Sequence, residues 1–112
     1  MKAPHLNRKL VLEAPVRVAD GAGGFTQSWQ ALGTLYAAVT ARTGRETAGV
    51  AAPLSRVAYR IVVRAGRVGA SSRPLPEQRF REGSRVFNIV AVADADSAGR
   101  YLTCTAEEEN VT

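Results

Sequence analysis

Asp20-Gly21-Ala22-Gly23-Gly24, set between two alternating runs, constrains this chain more than any other stretch. Glycine at this density supplies the positive φ of a tight reversal, and the aspartate at its head can bond the backbone beside it. Two strands should therefore meet here. Beyond the turn, Phe25, Gln27 and Trp29 share one face of a strand, and Thr26 and Ser28 share the other. The pattern predicts a β-hairpin in a small β domain, with Trp29 anchoring one side of its core.

Similar alternating runs recur along the chain. Residues 8–18 place Leu10, Leu12 and Ala14 on one face, with Pro15 marking an edge or a bend. Gln30-Ala31-Leu32-Gly33 reads as a short connection, after which residues 34–42 form a Thr-, Tyr- and Val-rich strand. In residues 56–64, Val57, Tyr59, Ile61 and Val63 lie on one face, and Arg56, Ala58, Arg60, Val62 and Arg64 on the other. Three arginines on one strand face rarely point into an apolar core; they meet solvent, a partner or nucleic acid. Residues 78–81, 85–93 and 100–106 complete the set, and Val86, Ile89, Val90 and Val92 predict heavy burial of the middle one.

The fold class expected is mainly β: a small antiparallel β-barrel or sandwich of six to seven strands, with long loops and at most one short helix. A flexible N-terminal arm (1–7) precedes one domain (8–106), and an acidic C-terminal tail (107–112) follows it. Residues 44–55 are an extended loop or a short helix, since Glu46 and the alanines favour helix while Gly49 and Pro53 oppose it. Residues 65–77, with two glycines and two prolines, form a long loop.

Charge is distributed unevenly. The net +5 gathers ten arginines against three carboxylates between Arg42 and Arg85, whereas one arginine meets five acids from Asp94 onward. A basic middle and an acidic end suit a surface facing nucleic acid, or head-to-tail assembly of complementary faces. Enzymatic readings fail on inventory. His5 is the only histidine and lies in the N-terminal arm, so neither a triad nor a His-based metal site can be built within one chain. The single Cys104 excludes an intramolecular disulfide and reads as a bland thiol in a strand. Asp94 and Asp96 sit in a hairpin loop, and the glycine cluster lacks the Lys-Ser/Thr and helix of a phosphate loop. No cofactor or metal is expected. No apolar run reaches membrane-spanning length, so no membrane role is expected either.

Several segments follow one another in this order: Asp20-Gly21 and Gly23-Gly24 leading to Trp29, a strand ending in Thr43-Gly44-Arg45-Glu46, Tyr59-Arg60-Ile61, and Arg85-Val86-Phe87-Asn88-Ile89-Val90-Ala91-Val92. This ordered set, from about Leu6 to Ala106, resembles the tailed-phage head–tail joining family, also called head-closure or stopper proteins, which includes proteins of phage-derived gene transfer agents. The resemblance implies a structural connector: a small β-barrel protomer in an oligomeric ring, most often of twelve copies. Its partners would be a portal or adaptor protein above, a tail terminator or tail tube protein below, and packaged double-stranded DNA. Such a protein would be made in the bacterial cytoplasm and would reside in the neck of a virion-like particle. Asp20, Gly21, Gly23, Gly24, Trp29, Gly44 and Tyr59 are the structural signature. Arg42, Arg45, Glu46, Arg56, Arg60 and Arg64 are the candidates for the DNA channel or the ring interface, because a ring multiplies each arginine into a collar that meets phosphates without reading bases. The alternative is a free-standing nucleic-acid-binding β-barrel, in which aromatics such as Trp29 and Tyr59 would stack on bases.

Overall fold

A computed structural model describes residues 3–42 and 57–109. Six strands follow in order: β1 (Arg8–Ala19), β2 (Phe25–Ala41), β3 (Ala58–Arg64), β4 (Arg79–Glu82), β5 (Arg85–Asp94) and β6 (Tyr101–Glu108). All neighbouring pairs are antiparallel, and the single sheet closes on itself in the order β1-β2-β3-β6-β5-β4. Where the strands overlap, closure pairs the edges that an open sheet of this size would leave exposed. Among the described residues there is no helix. Gly44, Arg45, Glu46 and Arg56, and with them the choice between loop and helix for 44–55, lie outside the described residues.

The alternation expected for 56–64 is seen in β3, where Ile61 and Val63 are fully buried while Arg60 and Arg64 are exposed. These inward residues join Leu10, Leu12, Phe80, Phe87, Leu102 and Cys104 in one core, and Tyr59 packs against it. Tyr59 meets Phe87 edge to face, with ring centroids 5.2 Å apart, the arrangement that aromatic quadrupoles favour. In β5 the expectation fails at one residue. Val90 is 54% exposed because the β5–β6 register shifts between Ile89 and Ala91, so the extra residue is turned outward.

The predicted Gln30–Gly33 connection is also corrected. β2 runs unbroken through it, and the irregularity is a register shift against β1 between Leu12 and Glu13. Gly33, opposite Leu12, has φ of 156°, which a side chain would strain. The bulge marks where the closed sheet ends. Past it, residues 14–19 of β1 pair only with residues 25–30 of β2, forming a two-stranded ribbon without a third strand among the described residues.

The glycine turn closes that ribbon as the sequence predicts. One carboxylate oxygen of Asp20 accepts hydrogen bonds from the amides of Ala22 (2.8 Å) and Gly24 (3.0 Å), and the Asp20 amide donates to the Gly24 carbonyl. Gly21 and Gly23 take φ near +82° and +86°. Two differences lie at the chain's extremities of order. Trp29 is half-buried on the ribbon and is not part of the core cluster. β6 continues through Glu108, so Glu107 and Glu108 belong to the sheet and not to a tail.

Candidate nucleic-acid and subunit interface

The charged residues separate into two groups, one consumed inside the protomer and one displayed. The first group straddles the β1–β4 seam and the β4–β5–β6 side. Glu13 is only 6% exposed and accepts hydrogen bonds from Arg79 at 2.7 Å and Arg81 at 2.8 Å. It follows Leu12 across the bulge and so turns away from the core, where two arginines flanking the buried Phe80 cover it. Burial alone would raise its pKa, but the bonds from Arg81 and Arg79 outweigh burial and hold Glu13 below the ordinary carboxylate range.

Nearby, Arg8 binds Glu82 through two nitrogens at 2.7 and 2.8 Å. Arg85 binds Glu108 in the same bidentate manner at 2.8 and 3.1 Å and also donates to the Tyr59 hydroxyl at 3.2 Å. The Arg8 bond lowers the pKa of Glu82, and the Arg85 bond lowers that of Glu108. Each depressed carboxylate contributes stability that is present above its unfolded pKa and is lost as pH falls through the folded value. Stability is thus expected to be flat above about pH 5 and to fall as pH drops from roughly 4.5. A thermal-unfolding series from pH 7 to pH 3 checks this, and Glu13→Gln should flatten the acid limb. Burial pushes the Cys104 thiol up to about 12, leaving it protonated and unreactive at neutral pH.

The second group lies on the outward face of β2, β3 and β6. Arg60 stands between Thr40 of β2 and Thr105 of β6. Arg42, at the end of β2, is anchored by its amide to the Ala58 carbonyl at 2.9 Å. Among the described residues neither guanidinium has a carboxylate within ion-pair distance. With Thr103 and Thr105 they line a shallow depression of about 310 Å³, and Arg60 and Thr103 also border an adjoining one with His5. Arg64 lies further along β3, its guanidinium carbon 5.9 Å from the Tyr101 ring centre. Of the six sequence candidates, the structure brings Arg42 and Arg60 together and sets Arg64 apart. The other three are outside the described residues.

The ribbon carries a different chemistry. Arg17 sits over the Phe25 ring at 4.4 Å and Arg79 over Trp29 at 4.1 Å. Arg79 thereby links the seam carboxylate Glu13 to the root of the ribbon, a role that sequence reading missed. The signal available was Arg79-Phe80-Arg81, two arginines flanking a core residue and needing a counter-charge on the outer face. Among the described residues no three His, Cys, Asp or Glu side chains converge as a metal site would require, and no helix is long and apolar enough to cross a membrane.

A closed six-stranded module whose chemistry is charge laid out on faces is of the class that assembles with or binds other macromolecules. A family profile described as phage head completion protein matches residues 1–109. The chain belongs to the phage head completion protein family, whose members are virion proteins. It is similar to a chain in the solved virion of a native gene transfer agent particle, with 58% identity and a TM-score of 0.82, covering 98% of this chain and 100% of that one. It also shares its fold with a Shigella flexneri 2a protein solved in solution, with 21% identity, a TM-score of 0.70 and full coverage of both chains. Among curated proteins none matches significantly.

Proposed function

We propose that this chain is a structural connector of a phage or gene-transfer-agent particle, with no catalytic role. It forms a ring, twelve copies by the family resemblance, between the portal or adaptor and the tail, and it continues the DNA channel. The observation that carries the DNA part is the pair Arg42 and Arg60, which stand among threonines on one sheet face and have no carboxylate partner among the described residues. Most other arginines of the sheet are committed to carboxylates within the protomer. A guanidinium held on a strand and surrounded by short side chains is free to meet phosphate oxygens bidentately. The 58% identity to a chain of a gene transfer agent virion supports the particle assignment.

The alternative of a free-standing stacking barrel finds less support. Tyr59 is engaged with Phe87 inside the sheet, and the Phe25 and Trp29 rings each already carry a guanidinium. Cryo-electron microscopy of particles tests the assignment, with this chain expected as a ring at the head–tail neck; its absence from the neck would overturn it. In DNA binding by the assembled ring, replacing Arg42 and Arg60 by alanine should lower affinity equally for all sequences. The salt slope should fall by about two per protomer engaged with DNA.

A further inference from the structure

Among the described residues the ribbon has two unpaired edges, and they are built differently. On β1, residues 14–19 include Pro15, which has no amide to offer, and Arg17. Both are devices that keep an edge from pairing with another strand. On β2 the edge facing away from β1 has no strand partner among the described residues from Phe25 to Tyr36, since pairing with β3 begins only at Ala37. The whole of β2 contains no charged residue and no proline over 17 residues, in a chain that is 22% charged. An exposed strand edge of that length without charge or proline is a template for another strand, and a two-stranded ribbon is marginal in water without one.

The same chain carries a second open edge of matching character. β5 pairs with β4 only as far as Asn88, and Gln78 and Glu77 extend the bonding to Ile89. From Val90 to Asp94 its edge away from β6 has no strand partner among the described residues, and only the final residue is charged. Val90 itself is turned out by the bulge. Two different open edges on one chain can make a heterologous contact, in which each copy gives one edge and receives the other, and such contacts close into a ring when the rotation between copies closes.

We propose that the Phe25–Tyr36 edge of β2 pairs with the Val90–Asp94 edge of β5 in a neighbouring copy, so that the sheets of adjacent protomers are joined by main-chain hydrogen bonds. This rests on the ring reading above and names the surfaces that would build it. The occupant is a second copy because its edge is short, uncharged up to its final residue Asp94, and already present at equal stoichiometry.

The test is disulfide trapping in purified particles, with Cys104 buried and silent. Gln27→Cys, Ala93→Cys and the double variant are oxidised, and this chain is followed on a non-reducing gel. The double variant should give a ladder beyond the dimer. Each single variant should stay monomeric, and particles containing a mixture of the two single variants should give extended species only as far as dimers. A dimer from Gln27→Cys alone would show an edge-to-self contact and overturn the proposal. A cross-link to another virion protein would assign the β2 edge to a head or tail partner and also overturn it. Hydrogen exchange on the unsubstituted protein gives an independent reading: amides of 25–36 should slow roughly tenfold or more in particles relative to the free chain. A neck that contains the chain but shows neither ladder nor protection would sink the edge pairing alone; a neck without the chain would sink the connector assignment itself.

Discussion

Replacing Phe87 by alanine is expected to cost about 3–5 kcal/mol of stability, the range for a large aromatic removed from a closed core. Phe87 is fully buried, stands opposite the equally buried Phe80, and receives the edge of Tyr59. Its loss removes the transfer free energy of the ring and leaves a cavity that a closed sheet cannot collapse around. It also removes the partner of Tyr59 and uncovers the guanidinium of Arg85, whose carbon lies 5.0 Å from the Phe87 ring centre. Domains of this size have total stabilities of roughly 5–15 kcal/mol, so the variant should be marginally folded. Urea denaturation should show a lower midpoint with an unchanged slope, and the melting temperature should fall by on the order of 15 °C. Phe25→Ala is the matched control. Phe25 is 59% exposed, and its loss should change stability by less than about 1 kcal/mol.

Glu13→Ala should be the most damaging single change outside the core, at about 2–3 kcal/mol. The carboxylate is the shared acceptor for Arg79 and Arg81, and its removal leaves two guanidinium groups side by side with no counter-charge. Arg79 is the more buried of the two and also covers Trp29, so the root of the ribbon loosens with it. A double-mutant cycle between Glu13→Gln and Trp29→Leu should therefore show a coupling above about 0.5 kcal/mol, although the two residues are joined only through Arg79. Additive losses would separate the ribbon from the seam.

Much of the sheet is legible in the sequence because its strands are half-buried and alternate cleanly. The two faces of β3 and the Asp20 turn are read from residue type alone, since an arginine row and a positive-φ glycine each have one physical solution. What is illegible follows from the bulges. At Gln30–Gly33 a weak, glycine-containing segment looks like a connection, yet an extra residue in one strand preserves the ladder and re-aims the chain. At Val90 the same device turns a core-type residue outward. Trp29 reads as core because it is large and apolar, whereas an arginine from a strand fifty residues away covers its face. Glu108 reads as tail because acids cluster there, but its partner Arg85 lies across the β5–β6 pair. Of the displayed face, the arginine row of β3 was visible; the seam that uses up the other arginines was not, since it joins residues more than sixty positions apart.

That seam has a consequence for how the molecule comes together. Closure depends on three residue pairs, Val11 to Glu13 against Arg81 to Arg79, the shortest ladder in the sheet and one that spans most of the chain. Contacts so distant in sequence require the largest loop-closure entropy, and folding speed falls as such contacts dominate. The local hairpins β1–β2 and β4–β5 can form before it, so the seam is the natural late event, absent from an early transition state. Interactions gained late act on the escape rate from the native state and leave the rate of entry almost untouched. In a virion protein, the Glu13 ion pairs thus serve persistence: they set how long a closed protomer stays closed.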